Sequence, residues 1–220
     1  YKVNFDQLYG SIQKQRIKGN SYINILGAHE NNLKDIDLKK LSLTNIPINL
    51  EIACNYKMMN IAIKNNPKFV CLVPEKRKEI TTEGGLNLVK YYKKIKFIVN
   101  KLNKKKIRTS LFINPTIKDI LYSKQINANC VEIHTGRISN LIKKKKSYLS
   151  ELKKIKKCAK YANSLGIEVH AGHGMDYKTT QILSKIKEIK EFNIGHFIIG
   201  EAISIGLKNV IKKIKTFIKK

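Results

Sequence analysis

The regular exchange of short β-rich apolar runs with longer amphipathic stretches limits this chain to an α/β architecture on parallel strands. The candidate strands are Lys2–Phe5, Tyr22–Leu26, Ile48–Ile52, Phe69–Val73, Thr109–Ile113, Val131–His134, Ile167–Ala171 and Asn193–Ile199, the last turning helical at its end. Between most of them the apolar spacing is helical. Leu86–Leu102 sets Leu86, Val89, Lys90, Lys93 and Phe97 at intervals of three or four, and Tyr148–Leu165 sets Leu152, Ile155, Ala159 and Ala162 on one face. Gly166 follows the second stretch where a helix terminator belongs. Strand–helix alternation with short links predicts right-handed crossovers. Eight strands in 220 residues predict a closed (β/α)₈ TIM barrel with extra helices, a single domain over residues 1–220. No G-x-G-x-x-G opens the first helix, which argues against a dinucleotide fold.

The net charge of +28 is nearly all lysine; only Arg16, Arg77, Arg108 and Arg137 are arginine. Readers of nucleic acid favour the planar arginine fork, and these lysines are spread along helix faces. No specific nucleic-acid partner is expected, while the positive field favours phosphorylated small molecules. The lysine runs 104–106 and 143–146 read as solvated helix ends. Cys54, Cys71, Cys130 and Cys158 show no C-x-x-C pairing or metal-ligand spacing and read as reduced core residues. No apolar run is long enough for a membrane span, and residues 1–6 carry no basic stretch leading into an apolar one. A cytoplasmic location without membrane association is expected.

Chemistry in a parallel barrel gathers at the C-terminal ends of the strands. Glu51, between Leu50 and Ile52, points into the barrel if its neighbours face the helices, and burial there suits a general acid or base. A structural ion pair with lysine is the alternative. Glu132 and His134 alternate and share a face, fit for acid–base work or for a satisfied core pair. His173, between Gly172 and Gly174, has the setting of a catalytic or ligand-binding residue. Gly195, Gly200 and the Gly172/Gly174 pair fit a phosphate site built from backbone N–H groups. The polar segment 74–85, ending in Gly84-Gly85, reads as a lid.

Four runs in order carry a resemblance: Leu72-Val73-Pro74-Glu75-Lys76-Arg77 with Thr81-Thr82-Glu83-Gly84-Gly85; Glu132-Ile133-His134-Thr135-Gly136; Ala171-Gly172-His173-Gly174; and Asn193-Ile194-Gly195-His196. From Ile48 to about Lys213 the chain resembles the PdxJ-type pyridoxine 5′-phosphate synthases. The resemblance implies condensation of 1-deoxy-D-xylulose 5-phosphate with 3-amino-2-oxopropyl phosphate, no metal or organic cofactor, and a homo-octamer of barrels. It places the general base on Glu51 and the general acid on His173. It places ligand contacts on Asn4, Asp6, Thr81, Gly174, Gly195 and His196, with Glu132 a further polar site residue. The first quarter departs from the family. Gln7 follows Asp6 where a histidine is usual, the phosphate-binding arginine loop is missing, and Ile25 stands at the strand-two catalytic histidine. Gly27 and Asn32 replace an arginine and a histidine, and His29 lies nearby. Those departures predict reduced activity; a catalytically degenerate barrel kept as a phosphate-binding or structural subunit is the alternative.

Overall fold

A computed structural model describes the backbone of residues 23–25, residues 38, 41 and 43, and residues 47–74 and 84–218. The Lys2–Phe5 strand, Asn4, Asp6, Gln7, His29, the lid segment 75–83 and Thr81 lie outside the described residues.

Among the described residues seven parallel strands pair strictly in chain order: β1 (Ile23–Ile25), β2 (Ile48–Ala53), β3 (Phe69–Val73), β4 (Arg108–Ile113), β5 (Cys130–His134), β6 (Glu168–Gly172) and β7 (Ile189–Asn193). A doubly wound sheet reverses strand order at a switch point; this one does not, and the fold is α/β and TIM-barrel-like. Eight helices are described: α1 (Tyr56–Asn65), α2 (Tyr92–Lys104), α3 (Ile117–Ile126), α4 (Gly136–Lys143), α5 (Leu149–Ser164), α6 (Tyr177–Leu183), α7 (His196–Ile205) and α8 (Leu207–Ile218). The starts of α1, α3 and α6 are written locally. Asn55 accepts from Met58 N, Thr116 from Asp119 N and Asp176 from Thr179 N, each satisfying an N–H the helix leaves open.

Strand alternation sorts the residues into two environments. Leu50, Ile52, Val70, Leu72, Leu111, Ile113, Val131, Ile133, Val169 and Ala171 join one apolar core with the helices. Burying each large side chain there stabilises the fold by about 1.5–3 kcal/mol. The intervening positions, including Glu51, Cys71, Glu132 and His170, are left to the interior of the sheet's curl. Cys71 and Cys130 are buried yet stand apart from the apolar core. All four cysteines are buried free thiols. The lysine runs end α2 and α4 in exposed turns, with Lys106 and Lys145 in the left-handed region (φ 60° and 53°).

Two expectations are corrected. The strand placed at Asn193–Ile199 is instead Ile189–Asn193, and the apolar run Phe197-Ile198-Ile199 belongs to α7. A short apolar run fits a buried strand and a helix equally, and here pairing with β6 chose the earlier segment. The helix placed at Leu86–Leu102 starts only at Tyr92, and its buried face is Ile95, Ile98, Val99 and Leu102. Leu86 is held by its N–H to Phe112 O (2.8 Å), so residues 84–88 dock on the end of β4, while Val89 and Phe97 are 47% and 45% exposed. α5 lies where the periodicity places it, and Gly166 follows with φ +73°.

Candidate active site

Glu51 sits between Leu50 and Ile52, both fully buried among the helices, so its carboxyl faces the opposite way, into the barrel interior. Its register partner on β3 is Cys71. Across the interior the Cys71 thiol donates to Glu132 Oε2 (3.5 Å), and Asn193 Nδ2 donates to the same oxygen (2.6 Å). Residues from β2, β3, β5 and β7 thus converge on a pair of carboxylates, Glu132 buried and Glu51 half-buried. Burial first, and then the Glu132 charge, raise the Glu51 carboxyl from the ordinary 4.5 to about 7. Burial also raises Glu132, against the lowering effects of Asn193, His170 and Cys71. Burial and the two carboxylates push the Cys71 thiol well above 9, so it stays a protonated donor.

Above this pair lie two histidines. His134 ends β5, and its ring centroid is 4.8 Å from that of His173. The Phe112 ring stands edge-on to His134 at 5.3 Å and 6.3 Å from His173. Burial, then the neighbouring His173, lower His134 to about 4, so it is neutral at pH 7. His173 adopts φ +78°, a strained conformation for a residue with a side chain. Thr135 holds it there: its hydroxyl lies 2.8 Å from both Gly172 O and His173 O, and its N–H donates to Gly172 O at 2.9 Å.

Two glycines make room for these side chains. A Cβ on Gly172 would overlap Glu132 Oε1 and come within 2.9 Å of Glu132 Cδ. A Cβ on Gly136 would sit 2.8 Å from His134 Cε1 and 3.0 Å from His173 Cδ2. Gly172 therefore leaves the space that the Glu132 carboxyl occupies. Gly200 lies inside α7 with its N–H within the helix, not at the mouth. Gly195 is the N-cap of α7 and offers no side chain to its first N–H groups; His196 is the first helical residue. Gly174 follows His173 with φ +74°. Ile25 ends β1, its backbone in register with Leu50.

At the other end of the strands is an ion-pair network that the motifs do not announce. Arg108 Nη2 lies 2.8 Å from Glu168 Oε2, Glu168 Oε1 lies 2.9 Å from His170 Nε2, and His170 Nδ1 lies 3.6 Å from Glu191 Oε1. The period-two spacing of Glu168, His170 and Gly172 is the one signal of it in the sequence. Cys130, Glu168 and His170 bring ligand atoms within 4.8 Å of one another, a spacing a metal would accept. Glu168 and His170 are already spent on one another, and the Arg108 cation opposes a second positive ion, so an ion-pair network is the better description.

Burial works to lower His170, but bonds to Cys130 and Glu168 prevail and raise it from 6.5 to about 10. The His170 bond, opposed by burial and reinforced by Arg108, lowers Glu168 from 4.5 to about 2. The His170 contribution to stability is therefore complete below pH 6.5 and lost as pH rises through 10. That of Glu168 is complete above 4.5 and lost as pH falls through 2. The difference in Tm between the parent and His170→Gln should shrink from pH 6.5 to 10. A constant difference over that window contradicts a charged His170.

The family model described as "Pyridoxal phosphate biosynthesis protein PdxJ" matches residues 25–220. A pyridoxine 5′-phosphate synthase from Pelagibacter ubique is 63% identical over 180 residues, covering 81% of this chain and 75% of that protein. The one from Sulfurihydrogenibium sp. is 46% identical over 190 residues, covering 84% and 77%. RipC from Yersinia pestis superimposes with a TM-score of 0.53 at 10% identity over 90% of this chain and 88% of its own, a likeness of fold alone. Among the described residues no helix is long and apolar enough to cross a membrane. With the family match running from the end of β1 to the last residue, and two carboxylates and a histidine pair gathered on and just after strands inside that span, the chain belongs to the PdxJ family of vitamin B6 biosynthesis.

Proposed function

We propose that this chain condenses 1-deoxy-D-xylulose 5-phosphate with 3-amino-2-oxopropyl phosphate to give pyridoxine 5′-phosphate. The observation that carries the reading is the half-buried Glu51 carboxyl, its pKa raised to about 7 beside Glu132, on a chain 63% identical over 180 residues to a protein named for that product. The substrate amine and ketone form a Schiff base, and proton transfers, loss of inorganic phosphate and water, and ring closure follow. Glu51 takes the proton as general base, since a pKa near the working pH balances availability against strength. His173 delivers a proton as general acid from its glycine-flanked turn. Glu132 steadies the positive charge that develops on nitrogen.

Backbone N–H groups at Gly174, Gly195 and His196 hold one substrate phosphate. The uncapped start of α7 supports this, because a ten-residue helix presents open donors and a positive dipole end there. Asn4, Asp6 and Thr81 complete the ligand contacts. The chain acts as a single barrel domain, in a cytoplasmic homo-octamer, with phosphorylated small molecules as its partners and no organic or metal cofactor. Its lysines, dispersed over helix faces, give polyanions weak attraction and no sequence-reading surface.

The test is incubation of the purified protein with both substrates, assayed for pyridoxine 5′-phosphate and released phosphate. With Ile25 at the strand-two histidine position, turnover is expected at about 10²–10⁴-fold below that of a relative with the full set. Absence of product at all pH values, with both phosphates still bound, replaces the enzyme reading with the degenerate barrel.

A further inference from the structure

Glu132 has two acceptor oxygens and no donor when ionised, so whatever surrounds it decides whether it stays charged inside the protein. Three features fix it. Asn193, the last residue of β7, donates Nδ2 to Oε2 at 2.6 Å. Cys71 on β3 donates its thiol to the same oxygen at 3.5 Å. Gly172 leaves open the space that Oε1 fills, and Gly172 is the register partner of Asn193. The amide is the shorter bond and the stronger donor, and the Asn193 Cβ lies only 3.2 Å from where a Gly172 Cβ would stand. β6 and β7 together therefore form a fitted seat for one carboxylate.

We propose that Asn193 is a positioning residue for the acid–base chemistry, seating Glu132 as an ionised group turned toward Glu51 and so setting the pH at which Glu51 works. The proposal rests on the reading of Glu51 as the base. The groups facing Glu132 come from every packed strand: Glu51 on β2, Cys71 on β3, His170 on β6, Glu191 and Asn193 on β7, with uncharged Phe112 its register partner on β4. Of these, Asn193, His170 and Cys71 favour the ionised form and Glu191 opposes it. His170 is also committed to Glu168, and Asn193 makes the shortest contact to this oxygen.

Without the amide donor, Glu132 holds its proton to higher pH, and Glu51 then faces a neutral neighbour. Glu51 loses the repulsion that raises it and ionises at lower pH. Asn193→Ala and the near-isosteric Asn193→Leu should both move the acidic limb of kcat/KM to lower pH by roughly half a unit to one unit. A residue that served only packing would lower stability and leave the limb in place.

The experiment measures kcat/KM against pH for parent, Asn193→Ala, Asn193→Leu and Glu51→Gln, each checked for folding by thermal melt. The Glu51 carboxyl is also titrated by ¹³C NMR in Glu-labelled protein, with Glu51→Gln giving the assignment. The titration needs no turnover, so it decides the question for an inactive or partly destabilised variant. A downward shift of the limb, or of the Glu51 titration, in the Asn193 variants is the expected result. An unmoved or upward shift overturns the role of Asn193. If Glu51→Gln keeps the parent's acidic limb, the base assignment fails instead, and the NMR titration still reports whether Asn193 controls Glu51.

Discussion

Glu51→Gln is expected to slow turnover by about 10²–10⁴-fold and, at the same time, to stabilise the folded protein at neutral and alkaline pH. The two effects have one cause. The Glu51 carboxyl is raised from 4.5 to about 7 by burial and by Glu132, so the folded state binds this proton more tightly than the unfolded chain does. Ionisation therefore destabilises the fold progressively from pH 4.5 upward, and the loss is complete above about 7. A shift of that size corresponds to about 3 kcal/mol at most. Glutamine keeps the shape without the charge, so urea denaturation should show a gain for Glu51→Gln at pH 8 and little change at pH 5. A structural ion pair with lysine predicts the reverse, a loss of stability at pH 8. Turnover equal to the parent's removes Glu51 from the base role whatever the denaturation curves show. His173→Ala should match the activity loss without the gain in stability, because it releases no buried carboxylate.

Gly172→Ala is expected to lower stability by about 1–3 kcal/mol and turnover by about 10²-fold or more. The added methyl meets Glu132 Oε1 directly and crowds the Asn193 Cβ at 3.2 Å. Either Glu132 withdraws and loses the Asn193 bond, or β6 moves away from β5; both displace a carboxylate whose position the chemistry uses. Relief by the second substitution Glu132→Ala would confirm the steric cause: the double variant should recover stability toward Glu132→Ala alone, with turnover still low. Additive stability losses in the double variant would show that Gly172 matters for some other reason.

Much of the site is legible in the order of residues along the chain. Period-two alternation suffices to aim Glu51 inward, because Leu50 and Ile52 have to face the helices. The same rule puts Glu132 and His134 on one face, and the glycines around His173 mark a strained turn, observed at φ +78°. The Arg108–Glu168–His170–Glu191 network is hidden because its members lie on β4, β6 and β7, and single strands do not reveal which charges meet. Asn193 escapes for a related reason. The apolar run puts it at the start of a strand, whereas β7 ends there, so the local pattern does not set its side chain against Glu132.

The sequence by itself determined the α/β alternation, the parallel strands, some helix ends such as that of α5 before Gly166, and the residue types available for chemistry. These follow from local spacing and capping, which depend on neighbours within a few residues. Only the tertiary structure decided where β7 begins, that Leu86 docks on β4 before the helix starts at Tyr92, and that Gly172 makes room for the Glu132 carboxyl. Each of those was settled by contacts between segments tens of residues apart, where pairing, overlap and burial act through space and leave no mark on the local pattern.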